Sequence, residues 1–576
     1  MASKGAVVNS ASAPQEGASG TDWFRTAVFY EVLVGAFQDS NGDGIGDIPG
    51  LISRLDYIRW LGVDCLWLLP MTASPLRDGG YDVSDYYDIL PAYGTVEDMR
   101  TLLEEAHRRG IRVVMDLVLN HTSSDHHWFR AARSSPESEY RDWYVWSDTP
   151  EKYSAARIIF CDSQDSNWTW DETAGAFYWH RFFPHQPDLN YDNPAVREAM
   201  LDVVRYWLNL GLDGFRLDAA PYLFEREGTS CENLPETHAF LAEVREMVDR
   251  EYGTLPVRVL LAEANQWPRD AVAYFGTAER PECHMCFHFP VMPRLFMALQ
   301  LEDAGPVSGI LASTPELPNQ HVQSQWGIFL RNHDELTLEM VTPEEREYMW
   351  SRYAPAPGMR LNFGIRRRLA PLLGNSRPKL ELLHGLLLSL PGSPFLYYGD
   401  EIGMGDDVSL ADRDGLRTPM QWSDQINAGF STANPLTLRE PPISDPVFGF
   451  ESINLESQIE EEHSFLHGLR QRIALRRRWP VFGTGSFTML DSSTPAVFAF
   501  VRRESKSIVL CVFNFSHLAQ SADLSVAGYE GLTPLELLNG ARFPVIGSQR
   551  YPITLDPHGY VWLALTESSA GAGSAP

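Results

Sequence analysis

Eight short apolar runs separated by helical stretches constrain this chain more than any other feature. The runs fall at residues 28–36, 65–69, 112–119, 214–217, 257–262, 284–289, 326–330 and 394–398. Helical patterns lie between and after them, at 51–61, 96–109, 195–210, 237–252, near 269–275, 293–300, 379–390 and 460–478. Strands that alternate with helices build parallel sheets, and eight such units close into a (β/α)8 TIM barrel of the α/β class. Two departures refine this. Between His121 and Asp192 the chain is aromatic and polar with little helical period, which predicts a subdomain inserted after strand three. Beyond Pro480 come β-rich runs at 487–490, 496–501, 507–515, 532–537 and 559–565, which predict a C-terminal antiparallel β-sandwich. The expected domains are a barrel over 22–121 and 193–485, an insert over 122–192 and a sandwich over 486–567. Polar tails are expected at 1–21, where it would be disordered, and at 568–576.

Totals exclude several function classes. A net charge of −29 over 576 residues argues against nucleic acid, whose phosphates need Lys and Arg. The first twenty residues lack the apolar core of a secretory signal. No apolar run is long enough to cross a bilayer; residues 380–390 are apolar but short and contain His384. Six scattered cysteines predict reduced thiols in a cytoplasmic protein. Cys283 and Cys286 have CxxC spacing but sit in a strand-like run with no second ligand pair. The Arg366–Arg368 and Arg476–Arg478 triplets read as a solvated face and a helix C-terminus.

Four of the runs end in polar clusters where a barrel places its active site. They are Asp116-Leu-Val-Leu-Asn120-His121, Arg216-Leu-Asp218, Glu263-Ala-Asn265 and Arg331-Asn332-His333-Asp334. Side chains two apart on a strand share a face, so Arg216 lies beside Asp218 and favours its ionised form. Glu263 follows four apolar residues, and burial would raise its pKa as a general acid requires. Two such carboxyls on adjacent strands suit a retaining glycosidase, with Asp334 and His333 gripping the sugar. A second pattern is Asp39-Ser-Asn41-Gly-Asp43-Gly-Ile45-Gly-Asp47, which alternates oxygen ligands with small residues like the start of an EF-hand loop. Its twelfth position is Gly50, so the usual bidentate glutamate is missing, and an Asx-rich turn is the alternative.

The sequences DLVLNH, GFRLDAA, EANQW and RNHDE resemble four signature regions of the α-amylase family of glycoside hydrolases, and QPDLN from Gln186 resembles a fifth. The resemblance implies Asp218 as nucleophile, Glu263 as acid/base and Asp334 as transition-state stabiliser. It implies a glucose pocket lined by Tyr81, Asp82, His121, Gln186, Arg216 and His333. The segments 222–238, 289–298, 331–340, 359–374 and 404–406 resemble the family's trehalose synthase branch. That branch interconverts maltose and trehalose, and Tyr222, Glu335, Glu339 and Arg413 match positions that close the pocket there. Structural Ca²⁺ is implied at Asp39, Asn41, Asp43, Ile45 and Asp47, and at a second site of Asn120, Asp188, Glu225 and the carbonyls of Tyr222 and Leu223. No organic cofactor is expected. A homo-oligomer and a maltokinase partner are further expectations. An α-glucosidase of the oligo-1,6-glucosidase kind is the rival reading; a non-catalytic sugar-binding protein would lack the acids.

Overall fold

The computed structural model describes residues 22–253, 256–317 and 324–567; both expected tails lie outside them. Eight parallel strands close a barrel: β1 Phe29–Val32, β2 Cys65–Leu68, β3 Arg112–Val118, β4 Gly214–Asp218, β5 Val259–Ala262, β6 Met285–Phe287, β7 Gln325–Phe329 and β8 Ser393–Tyr397. Each pairs with its neighbours in chain order, and β8 returns to β1 with Phe395 opposite Phe29. The strands are apolar runs because their side chains are covered inside and out. The β4–β5 seam is so close that a Cβ on Gly214 would sit 2.1 Å from the Val259 carbonyl oxygen.

Boundaries shift where local chemistry intervenes. The first run was expected to reach residue 36, but β1 stops at Val32 and Val34–Phe37 is a helical turn. Gly35 lies against Tyr93 there; a Cβ would stand 2.7 Å from the tyrosine hydroxyl. The stretch near 269–275 is two short turns, Pro268–Ala271 and Val272–Phe275. The last barrel helix begins at Phe465, capped by Ser464. Between β7 and β8 the chain adds a helix, Pro343–Tyr353, and a hairpin of Arg360–Leu361 with Gly364–Ile365.

The insert after β3 carries an antiparallel sheet of Trp146–Ser147, Ala176–Trp179 and Trp168–Asp171. It is tied back to the barrel by a bridge between His121 and Asp188. The C-terminal domain has two sheets, one of five strands and one pairing Gln520–Leu524 with Tyr551–Leu555. Alternation along Val497–Glu504 divides its faces: Val497, Ala499 and Val501 pack toward the small sheet, whereas Phe498 and Phe500 join the barrel core.

The basic triplets divide. Arg476–Arg478 ends the helix Phe465–Arg478, as expected, whereas Arg368, expected on a solvated face, is buried, as is Arg476. Arg476 donates to the carbonyls of Leu388 and Gly392, and Arg502 to those of Ser389 and Gly485. These buried guanidiniums satisfy loop carbonyls at the seam between barrel and sandwich. Among the described residues no helix is long and apolar enough to cross a membrane. All six cysteines are free and all but Cys161 are buried.

Candidate active site

The strand-end acids meet over the C-terminal mouth of the barrel, on one guanidinium. Arg216, fully buried, places Nη1 at 2.5 Å from Asp218 and 2.8 Å from Asp116, and Nη2 at 2.5 Å from Glu263. The local cause is the two-residue period of β4, which turns Arg216 and Asp218 to one face. Directly after Asp218 the backbone bends through Ala219 at φ 51°, a left-handed conformation that costs a non-glycine residue energy. The bend aims the Ala219 N–H at Glu263, 3.0 Å from Oε2.

Asp334, from the β7 end, has its own cations. Arg417 reaches it at 2.9 Å, Arg413 at 3.2 Å and His333 at 3.2 Å. Despite burial, His333 and these arginines hold its carboxyl well below the usual range. Beneath it, His333 Nδ1 lies 2.5 Å from Glu31 of β1. Burial pushes the imidazole down and the Glu31 carboxyl up, while the neighbouring Asp334 pulls the imidazole back toward its charged form. Tyr81 stacks on His333 and donates to Asp116 at 2.9 Å.

Protonation follows burial differently from the sequence expectation. Burial pushes Asp218 up, Arg216 pulls it back, and Glu263 and Asp116 push it up again, leaving it raised. Burial lifts Asp116 to about 6. Glu263 is the more open of the pair expected to be catalytic, its side chain 20% exposed against 9% for Asp218. An apolar run buries its own backbone, not the side chain that ends it. Three carboxyls around one guanidinium carry excess negative charge, so the cluster favours retaining a proton.

The cavity above these acids holds about 930 Å³ including the solvent in its mouth, within the range of small-molecule sites. Tyr81, His121, Gln186, Tyr222, Glu335, Glu339 and Arg413 line it with Asp218, Glu263 and Asp334. Arg216 and His333 lie behind the wall, orienting the acids. Asp82 is a correction: it is fully buried and accepts from Ser74 Oγ at 2.8 Å and from the Arg77 N–H at 3.1 Å. Asp78 lines the cavity instead and accepts from Gln186 at 2.9 Å. Gly79 and Gly80, at φ 58° and 109°, fold the loop so that Asp78 enters and Asp82 holds the turn.

Sequence reasoning also missed the roof. Arg157 of the insert reaches Glu232 and Glu339 at 2.8 Å each and the Tyr222 hydroxyl at 3.3 Å. Asn265, within a motif singled out but not assigned, donates to Glu339 at 2.5 Å. Arg413 bonds Glu335 at 2.8 Å and covers the Phe160 ring at 4.7 Å. Arg417, four residues on from Arg413, had that spacing as its only signal; Arg157 had none.

With this geometry, comparisons with known proteins are decisive for family. A family model described as the alpha amylase catalytic domain matches residues 31–354 and 366–485. The chain belongs to the alpha-amylase family. A model described as the maltogenic amylase C-terminal domain matches residues 487–562. The trehalose synthase/amylase TreS of Mycobacterium tuberculosis is 58% identical over 96% of this chain and 91% of that one. The oligo-1,6-glucosidase of Bacillus cereus is 30% identical over 86% of this chain and 91% of that one. The solved trehalulose synthase MutB from Pseudomonas mesoacidophila matches with a TM-score of 0.75 and 27% identity, covering 95% of this chain and 100% of that one.

The two metal expectations drawn from the alpha-amylase family resemblance differ in fit. Asp39 Oδ1 accepts the N–H groups of Asn41 and Gly42, and Oδ2 that of Gly44 and the Ser431 hydroxyl. Asn41 accepts from Asp43, Asp43 from Ile45, and Asp47 from Ser40 and Gly50. Those oxygens are engaged in the loop's own Asx turns, and Asp47 caps the helix Ile48–Leu61. At the second site Asn120 Oδ1, Asp188 Oδ2 and Glu225 Oε1 are buried without any hydrogen-bond partner. Burial lifts Asp188 to about 7 and, with Asp188 nearby, raises Glu225. Orphaned buried oxygens of this kind fit a hard cation. No group of three or more His, Cys, Asp or Glu able to hold a metal forms among the described residues; this set has two carboxylates and one amide.

Proposed function

We propose that the chain interconverts maltose and trehalose by a retaining double displacement within one pocket. Glu263 protonates the glycosidic oxygen as the Asp218 carboxylate attacks the anomeric carbon, forming a glucosyl ester and releasing glucose. The released glucose turns in place. Its anomeric hydroxyl attacks the anomeric carbon of the glucosyl ester while Glu263 takes the proton, and Asp218 leaves as carboxylate. Two inversions preserve the α configuration. Two carboxylates bridged by one guanidinium suit direct attack better than a pair that must admit a water between them. The first step needs the cluster's retained proton on Glu263 and Asp218 as carboxylate; Arg216 contacts both groups at 2.5 Å and holds them in place.

The observation that carries isomerisation over hydrolysis is the roof. Arg157, bonded to Glu232, Glu339 and Tyr222, joins the insert to the loops after β4 and β7 above the acids. A covered site keeps water from the glucosyl ester and keeps the released sugar in reach. The 58% identity to a trehalose synthase/amylase supports the same reading. A little hydrolysis to glucose accompanies it, as water enters occasionally. Incubation of the pure protein with maltose and isotopically labelled glucose tests the reading. Trehalose that is nearly free of label is expected. Glucose as the main product would make the protein an α-glucosidase, and heavily labelled trehalose would make the transfer intermolecular.

The reading includes structural Ca²⁺ held by Asn120, Asp188, Glu225 and the carbonyls of Tyr222 and Leu223. There it would neutralise two buried acids and tie the insert to β3 and β4. A second ion at Asp39–Asp47 would have to share oxygens already engaged by N–H groups.

A further inference from the structure

Resting on the isomerase reading above, we propose that Asp162 and Asn362 are positioning residues that pin the insert to the hairpin after β7 and thereby set how often water intercepts the glucosyl ester. The two segments form one side of the cavity: Phe160 comes from the insert, Phe363 and Gly364 from the hairpin. They meet in a reciprocal backbone-to-side-chain pair. The Asn362 N–H donates to Asp162 Oδ2 at 2.6 Å, and the Asp162 N–H donates to Asn362 Oδ1 at 3.4 Å.

Asn362 stands at φ 49°, a left-handed conformation asparagine tolerates better than most residues. Its side chain then does a second thing. Nδ2 donates to Glu335 Oε1 at 3.3 Å, while Glu335 Oε2 accepts from Arg413 at 2.8 Å and Arg413 reaches Asp334 at 3.2 Å. A polar line therefore runs from an exposed contact at the seam to the carboxylate below the sugar. Gly364 lets the hairpin lie flat on this line, since a Cβ there would stand 2.5 Å from Glu335 Cγ. Asp162 is exposed and lies outside the cavity lining, so its effect passes through Asn362 and Glu335. Opening the seam would expose the ester to water and loosen Glu335 together.

The experiment uses the full chain with maltose and reads the ratio of free glucose to trehalose at early times, beside the melting temperature. Wild-type protein must form trehalose; if it forms none, the isomerase reading fails first and this one with it. Given trehalose, Asp162→Ala and Asn362→Gly are expected to raise the ratio about three- to tenfold, the size of one lost hydrogen bond, with melting unchanged. Glycine at 362 keeps the left-handed backbone and removes only the amide. Asp162→Asn retains an acceptor oxygen and is expected to stay near wild type. An unchanged ratio in both Asp162→Ala and Asn362→Gly overturns the proposal, as does an equal effect of Asn and Ala at 162, or a loss of total rate at constant ratio.

Discussion

The backbone N–H of Ala219 holds Glu263 at 3.0 Å, so the residue that follows one carboxylate of the pair orients the other. Strand β4 and the bend directly after it thus supply both the proposed nucleophile and the donor that fixes its counterpart. The two roles separate by mutation. Asp218→Asn is expected to keep the fold and lose several orders of magnitude in turnover with every substrate, as removal of a covalent nucleophile does. Glu263→Gln is expected to lose about 10²–10⁴ on maltose yet still release fluoride from α-glucosyl fluoride, whose leaving group needs no proton. Equal losses on both substrates in Glu263→Gln would remove it as the acid.

Arg413 grips Glu335 and Asp334 and covers Phe160. Arg413→Ala is expected to shift products from trehalose toward glucose, because the released sugar is held less and water competes. Product ratios at low conversion check this. A variant that loses both products in equal measure would assign Arg413 to the first displacement instead.

For Ca²⁺, the orphaned oxygens of Asn120, Asp188 and Glu225 lead to a thermal prediction. Binding to the native state alone adds about 2.7 kcal/mol at a hundredfold excess over Kd. Chelator should therefore lower the wild-type melting temperature, and Glu225→Gln should melt lower and ignore chelator. Asp43→Ala should lower the ion content further only if the loop also binds. Wild-type melting indifferent to chelator, with no calcium by elemental analysis, would sink both sites.

Stability should also depend on pH through His384. It is buried in the helix Arg377–Leu387, bonded to the Leu380 carbonyl, and its pKa is pushed down by burial to about 4. A lowered histidine contributes fully above its unfolded value of about 6.5, and that contribution is lost as pH falls toward the folded value. The difference is about 3 kcal/mol across that interval. His384→Gln should flatten the fall in unfolding free energy between these pH values relative to wild type. Parallel curves in denaturant titrations at both pH values would show that His384 is not a source of the slope.

Much of the architecture was legible because barrel strands are buried on both faces and so read as unbroken apolar runs. The acids were legible because each terminates such a run, and Arg216 beside Asp218 follows from strand period alone. What stayed hidden depends on loop dihedrals and on contacts between distant segments. Asp78 and Asp82 are the same residue type and stand on either side of the same tyrosine. Only the positive φ of Gly79 and Gly80 decides which one enters the cavity. Arg157 sits in a stretch with no period and finds Glu339 across 182 positions. The burial of Asp218 over Glu263 was likewise invisible, since both acids end apolar runs of the same kind.

The ring closes between its first and last strands, with Phe29 opposite Phe395. On the ribosome those edges emerge far apart in time. A growing chain therefore carries bare strand edges until Tyr397 has left the exit tunnel, and such edges pair with neighbouring chains as readily as with their own partner. The yield of active protein should accordingly follow the speed of translation and the supply of chaperones, and slow synthesis at low temperature should favour it.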